Sequence, residues 1–204
     1  YPYRQYTDSL EYHLIREKLR PATGQPHNVA YYEKLLATGQ YNNETATRYG
    51  YALALGKAGR LEQAEAELDK LLKKHPEQAN FLLARARLMI EGGKSQAGLQ
   101  AFQQALKVYP RDHSLTVSYA RALLQLDRAA EARQLLHQYV RERTPDASLY
   151  QLMATAEGEA GYPIEAHQSL AEHLYLNGET RAAIRQLDIA LGLKTDNFFE
   201  LSKV

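Results

Sequence analysis

Residues 49–76 decide the fold, and they read YGYALALGKAGRLEQAEAELDKLLKKHP. Apolar residues recur at three- and four-residue spacing, as at Leu68 and Leu71, which is the pattern of an amphipathic helix. Between the two halves, Gly59 can adopt the left-handed backbone that ends a helix. Pro76 cannot continue a helical hydrogen-bond ladder, so the second half must stop there. The stretch therefore predicts a helix, a tight turn and a second helix.

This block recurs along the chain with a period of about 34 residues. Each copy ends near a proline, usually turns at a glycine, and carries a small alanine where two helices must approach closely. The recurring residues are Pro76, Pro110 and Pro145; Gly59, Gly93 and Gly161; and Ala52, Ala86, Ala120 and Ala154. Such a period indicates stacked helical hairpins, because one hairpin alone cannot bury its apolar face.

The pattern resembles the tetratricopeptide repeat, a helix-turn-helix unit of this length. The resemblance implies an all-α, right-handed superhelical solenoid of four to five repeat units. We place the repeat array at residues 45–195. Near its end, Gly178 follows Gly161 by only 17 residues, half of one period. The helix expected at 164–177 would therefore serve as the second helix of one unit and the first helix of the next.

The two ends of the chain fall outside this period. Residues 1–44 form a non-repeat segment, for which we predict helices near 5–20 and 28–38. Its many tyrosines suit packing against a neighbouring domain or against the first repeat. The chain begins at Tyr1 without a methionine, so we expect a fragment or a processed product, in which this segment would link the array to a preceding domain. At the other end, residues 196–204 are expected to start a truncated helix that Asp196 would cap.

Composition excludes several functional classes. The 204 residues contain no cysteine, which rules out disulfides, thiolate nucleophiles and cysteine-ligated metals. The net charge of +1 argues against a general nucleic-acid binder, and no apolar run is long enough to span a bilayer. None of the seven histidines belongs to a His-Glu-x-x-His zinc motif. We therefore predict no catalytic residue, no metal site and no cofactor in this chain.

Stacked repeats leave a groove lined by the first helix of each unit, which suits a polypeptide partner. By resemblance to the family, the groove residues are Tyr49, Leu53, Lys57, Leu83, Arg87, Ile90, Glu91, Val117, Arg121, Leu124, Gln125, Gln151, Thr155 and Glu159. Arg87 and Arg121 lie one period apart and should stack in the groove. Their guanidinium groups could bind carboxylates or backbone carbonyls of a peptide, or they could simply pair with neighbouring acids such as Glu91.

Chaperone-binding relatives use lysine and asparagine at set groove positions to clamp a terminal carboxylate. Tyr49, Leu53, Leu83 and Val117 occupy those positions here, which argues against binding of a chaperone tail.

The order of features is similar to that of the repeat region of BepA-like periplasmic zinc metallopeptidases of Gram-negative bacteria. The similarity rests on three stretches of sequence. They are Asp8-Ser9-Leu10-Glu11-Tyr12-His13-Leu14-Ile15-Arg16 before the array, Tyr49-Gly50-Tyr51-Ala52-Leu53 in the first repeat, and Leu174-Tyr175-Leu176-Asn177-Gly178-Glu179 near the end of the array. The resemblance implies a periplasmic module that binds outer-membrane β-barrel proteins, their assembly machinery and its own peptidase domain. Zinc would belong to that missing domain.

Two other interpretations stay open. The chain could be an enzyme in its own right, in which case the purified fragment would show zinc-dependent turnover. It could also be a stand-alone repeat scaffold of an envelope or secretion complex with no peptidase attached.

Overall fold

The computed structural model describes residues 9–141 and 143–201, with the backbone alone for 194–201. The chain divides into two compact units, residues 1–110 and 111–204. In the first unit the described helices are α1 (Leu10–Leu19), α2 (Val29–Thr38), α3 (Glu44–Lys57), α4 (Leu61–Lys74), α5 (Ala79–Glu91) and α6 (Ser95–Val108). In the second unit they are α7 (His113–Gln125), α8 (Ala129–Val140), α9 (Ala147–Glu159), α10 (Pro163–Leu176) and α11 (Thr180–Leu201).

Side-chain caps fix where several of these helices begin. The Asn43 side chain accepts from the backbone N–H of Ala46 at 2.9 Å and starts α3. Asp112 does the same for α7 by accepting from Leu115 at 2.8 Å. Each cap satisfies a backbone donor that has no partner inside its own helix. The first helices α3 and α7 therefore start where the local sequence dictates, whereas Gln78 before α5 makes no such bond.

The turns inside the hairpins follow the glycine pattern with one substitution. Gly59, Gly93 and Gly161 have φ angles of 75°, 76° and 84°, as the sequence predicts. In the third hairpin Asp127 takes this position with a φ of 57°, a conformation that aspartate tolerates better than most residues. The chain turns tightly in all four hairpins, and the predicted all-α tetratricopeptide-repeat fold is confirmed in each unit.

Small residues lie at the helix-helix contacts, with one difference from expectation. Ala52, Ala86 and Ala120 are completely buried, as predicted. In the fourth block Ala154 is only half-buried, and Ala156 is the fully buried alanine instead. The next residue, Glu157, is buried as well, and Ala122 and Leu123 are buried at the matching positions of α7.

Helix α10 packs against both α9 and α11, which agrees with its predicted double role at the end of the array. The expected break before residue 196 is wrong, because α11 continues unbroken from Thr180 to Leu201. No proline or glycine stands at residues 193–201 to end the helix, so Asp196 lies inside it. Residues 202–204 of the expected truncated helix lie outside the described residues.

At the other end of the chain, α2 matches the helix predicted at 28–38, and Gly39 ends it with a φ of 66°. Helix α1 begins at Leu10, and the part of the predicted helix at 5–8 lies outside the described residues. A short 3₁₀ turn over Arg20–Thr23 follows α1. Both α1 and α2 pack against α3, the first helix of the array. Apart from the helix start expected at 196, the proposed extents of the domains stay predictions.

Replacement of the buried Ala86 by leucine should destabilise the chain. Three extra heavy atoms would be forced into a contact that leaves no exposed surface, so Ala86→Leu should lower the free energy of unfolding by roughly 1–3 kcal/mol. Urea unfolding followed by circular dichroism measures this change. The matched control is Ala97→Leu on the exposed side of α6, with an expected change within about 0.5 kcal/mol. Equal effects of the two substitutions would contradict the predicted close approach of helices.

Candidate functional site

The non-repeat helix α1 lies over the first-helix face of the first two repeats. Its Leu14 has no exposed surface and belongs to the same apolar core as Tyr49 of α3 and Phe81 of α5. The two carboxylate oxygens of Glu11 accept hydrogen bonds from Gln78, just before α5, and Asn80 at 3.0 and 3.1 Å. Helix α1 therefore contacts α3 and the beginning of α5, and covers part of the surface predicted to be an open groove.

A buried ionic network holds this arrangement in place. Glu17 of α1 is only 4% exposed and accepts two hydrogen bonds from the Arg20 guanidinium, at 2.8 and 2.9 Å. The hydroxyl of Tyr32 on α2 donates to the same carboxylate at 2.7 Å. Tyr32 can reach it because residue 50 is glycine, where a Cβ atom would lie 2.6 Å from the tyrosine ring. The network joins α1 to α2, and Tyr32 packs against α3.

The electrostatic surroundings keep Glu17 ionised. Burial by itself would raise the pKa of its carboxyl, but the hydrogen bonds from Arg20 and Tyr32 and the charges of Arg20 and Arg16 outweigh burial. The pKa of Glu17 is therefore lowered from its ordinary value. Burial, together with the hydrogen bond to Glu17, raises the pKa of Tyr32, so its hydroxyl keeps the proton that it donates.

A cavity of about 370 Å³ remains beside α1 on the same face. We call it the unit-1 groove. Its lining residues are Lys18 of α1; Tyr49, Leu53, Gly56 and Lys57 of α3; and Leu83, Ala84, Arg87, Leu88 and Glu91 of α5. Leucine side chains and Tyr49 give the groove an apolar floor, and the charged side chains are exposed. This combination suits an extended polypeptide segment with apolar side chains.

Tyr49 and Leu83 are more deeply buried than open groove positions would be. Tyr49 is 2% exposed because Leu14 of α1 and Phe81 pack around it, and this burial raises the pKa of Tyr49 to about 12. Leu83 is 6% exposed. Both line the groove as part of its floor. Leu53 is half-buried, so it offers more contact surface to a partner.

The placement of Ile90 in the groove is wrong. Its side chain packs onto α6, where a Cβ atom at Gly98 would lie 2.6 Å from the Ile90 Cδ1 atom. Ile90 is 6% exposed and stabilises the contact between the two helices of its own hairpin. The glycine at residue 98, where the other repeats carry alanine, makes room for this larger side chain.

Arg87 forms an ion pair with Glu91, one of the two alternatives that the sequence left open. Its Nη2 atom lies 3.8 Å from the Glu91 Oε1 atom, and the two side chains are 59% and 46% exposed. A long contact between exposed groups contributes little free energy and breaks easily. Arg87 therefore remains available to a carboxylate on a partner.

The second unit carries the remaining predicted groove residues on α7 and α9. Val117 and Leu124 are half-buried, whereas Arg121, Gln125, Gln151, Thr155 and Glu159 are exposed. The two helices contact each other, and the Thr155 hydroxyl donates to the Gln151 carbonyl oxygen at 3.1 Å. Arg87 and Arg121 belong to different units, and the stacking of their side chains stays a prediction.

Four lining residues were missed by the repeat pattern. Lys18 lies in the non-repeat segment, so no register could assign it to the groove. Ala84, Gly56 and Leu88 did not stand out as groove positions, although one signal existed. Gly56 is the next-to-last residue of α3 and not the turn glycine, and a Cβ atom there would lie 2.7 Å from the Leu88 Cδ2 atom. A helical glycine that does not serve the turn is a sign of close packing.

Within residues 9–141 and 143–201, no group of three or more histidine, aspartate or glutamate side chains could hold a metal ion. Among the helices of the same residues, none is long and apolar enough to cross a membrane. The described part of the chain presents a groove for binding and no metal centre.

The helical hairpins and the groove define a repeat protein of the binding type. A family model described as tetratricopeptide repeat matches residues 61–175, more than half of the chain, and the chain belongs to that family. The beta-barrel assembly-enhancing protease of Yersinia pestis is 28% identical over 155 residues, which cover 76% of this chain and 32% of that protein. The chain thus spans about a third of the length of this relative.

Solved structures support the fold. A thermophilic tetratricopeptide repeat protein of Thermus thermophilus matches with a TM-score of 0.63 and 17% identity, covering 89% of this chain and 98% of that one. PilF of Pseudomonas aeruginosa matches with a TM-score of 0.59 and 18% identity, covering 74% and 69% of the respective chains. At this level of identity the likeness concerns the fold alone.

Removal of the charge on Glu17 should weaken the packing of α1 in a pH-dependent way. At pH 7, Glu17→Gln should lower the free energy of unfolding by about 2 kcal/mol, because Arg20 and Tyr32 lose a charged acceptor. A lowered folded-state pKa means that this stabilisation is complete above the ordinary glutamate pKa of about 4.3 and is lost as the pH falls through the folded-state value. The difference between the parent and Glu17→Gln should therefore shrink on acidification.

Urea unfolding at a series of pH values down from 7 measures this difference. The matched control is Glu62→Gln on the exposed surface of α4, which should stay within about 0.5 kcal/mol of the parent at every pH. A difference for Glu17→Gln that does not change with pH would contradict an ionised, buried carboxylate.

Proposed function

We propose that this chain is the substrate- and partner-binding module of a periplasmic metallopeptidase that acts in outer-membrane β-barrel assembly and quality control. The unit-1 groove carries the proposal, since it joins an apolar floor to exposed cationic side chains. The Yersinia pestis relative, whose name links it to β-barrel assembly and to proteolysis, supplies the biological setting.

The chemistry of the groove fits an unfolded β-barrel protein. A precursor that has not closed its barrel exposes extended segments with alternating apolar side chains and unpaired backbone groups. Leu53 and its neighbours can receive the apolar side chains, and Arg87 can donate to carbonyl or carboxylate oxygens. Such contacts place few demands on sequence, which suits a protein that must hold many different precursors.

In this proposal the fragment binds and the catalysis takes place elsewhere. The described residues offer no metal-binding group, so a zinc ion would not fit here, and we assign zinc to a peptidase domain outside this sequence. A stand-alone scaffold of an envelope or secretion complex would use the same groove, but its partner would not be an unfolded barrel protein.

Charge reversal in the groove tests the proposal. An outer-membrane β-barrel protein is unfolded in urea and then diluted into buffer with the repeat protein. The double variant Arg87→Glu/Arg121→Glu should bind it about tenfold more weakly than the parent does, while the helicity of the variant stays unchanged. Each substitution should cost less than about 1 kcal/mol of stability because both side chains are exposed. The control is Lys73→Glu/Lys107→Glu, which makes the same charge change on exposed residues of the second helices α4 and α6. Equal binding by the two double variants would contradict the groove assignment.

Photo-cross-linking in cells identifies the surface that is used. A photoreactive side chain at Leu53 or Leu124 should capture barrel proteins, whereas the same group at Lys73 or Lys107 should not. Capture only from Lys73 and Lys107 would place the partner on the second helices and overturn the proposal.

A further inference from the structure

The unit-1 groove is not made of repeat residues alone, because α1 supplies one of its walls. Leu14 and Glu11 fix α1 against α3 and the start of α5, and Glu17 joins it to α2. One turn after Leu14, Lys18 projects from α1 as an exposed side chain and lines the cavity. The non-repeat helix therefore contributes a charge that no repeat position provides.

The groove carries an excess of positive charge. Three of its lining residues are cationic, Lys18, Lys57 and Arg87, and one is acidic, Glu91. They come from three different helices, so they surround the apolar floor. The rim therefore attracts anions at short range, where water and salt screen the field least.

Lys18 is the most available of the three cations. Arg87 already contacts Glu91 at 3.8 Å, and the Lys57 Nζ atom lies 3.4 Å from the Nε2 atom of His27. Lys18 makes no ion pair with any residue in the described part of the chain. Binding of a carboxylate to Lys18 would break no salt bridge among the described residues.

We propose that the unit-1 groove selects an internal, extended polypeptide segment in which an acidic side chain lies next to large apolar ones, and that Lys18 is a specificity-determining residue. This inference rests on the proposed function and names the class of segment that the groove prefers. The apolar side chains of the segment pack on Leu53, Leu83 and Leu88, and its carboxylate reaches the cationic rim.

The lining favours an acidic side chain over a chain terminus. None of the ten lining residues is asparagine, glutamine, serine or threonine, so the floor offers few neutral donors. A terminal carboxylate is attached directly to the backbone, and it would be drawn toward the apolar floor at a high desolvation cost. A glutamate side chain extends away from the backbone and can place its charge at the rim while the backbone lies over the leucines.

The proposal is tested by measuring the binding of three labelled synthetic peptides to the full chain by fluorescence anisotropy. The first has the core Leu-Glu-Phe-Glu-Leu between Gly-Ser flanks, with both ends blocked. The second replaces both glutamates by glutamine. The third keeps the glutamine core but has a free terminal carboxylate directly after its last leucine. The first peptide should bind about fivefold more tightly than the other two at low salt, and added salt should reduce this advantage.

Variants of Lys18 assign the selectivity to α1. Lys18→Glu should abolish the preference for the first peptide, and Lys18→Arg should retain it, because the charge is kept at the same place. The matched control is Lys34→Glu, an exposed lysine of the neighbouring non-repeat helix α2 that does not line the groove. It should behave as the parent chain does. If Lys18→Glu and Lys34→Glu reduce the preference for the first peptide equally, the effect is one of overall charge, and the role of Lys18 is overturned.

Other outcomes separate this inference from the proposed function. Equal binding of the first two peptides would overturn the acidic selectivity while leaving a groove that binds polypeptides. Preferential binding of the third would identify a terminal carboxylate as the ligand and overturn the proposal. If none of the peptides binds, the inference is wrong, and binding of the urea-unfolded β-barrel protein by the parent chain decides separately whether the proposed function stands.

Discussion

The packing of Leu14 against the first repeat is the contact on which the site depends. A helical hairpin buries only part of its apolar surface, and the rest must be covered by a neighbour. At the beginning of this array α1 and α2 provide the cover, and Leu14 is buried with Tyr49 and Phe81. The same contact closes part of the first-helix face and leaves the unit-1 groove beside it. The stability of the beginning of the array and the shape of the site therefore have one origin.

The Glu17 network explains why α1 takes one position rather than several. A leucine against an apolar surface could slide, because hydrophobic contacts have no direction. The carboxylate of Glu17 must face both Arg20 and Tyr32, and Tyr32 must lie over Gly50. A charge this deeply buried is costly if its partners are lost, so the network favours a single arrangement. It places Lys18 at the groove.

The sequence predicts the repeat helices well because their signals are local. Turn glycines and apolar spacing act within a few residues, and they recur along the array, with Asp127 in place of the glycine in the third hairpin. The deviations come from contacts between elements. Ile90 packs on Gly98 and leaves the groove, since a missing Cβ on α6 makes room for it. On α9 the fully buried alanine is Ala156, whereas Ala154 is only half-buried. The sequence could not predict that Lys18 lines the groove, because no pattern in residues 1–44 indicates where α1 packs on the array.

Because the chain contains no cysteine, the position of α1 can be tested directly with one introduced pair. The side chains of Glu11 and Asn80 meet at 3.1 Å on the exposed surface. In the variant Glu11→Cys/Asn80→Cys, a short bis-maleimide should join the two residues within one molecule, and mass spectrometry of the digested product detects the link. Urea should abolish this link, because the residues are 69 positions apart in sequence. Absence of the link in the folded variant would show that α1 does not lie over α3 and α5, and the account of the groove would be wrong.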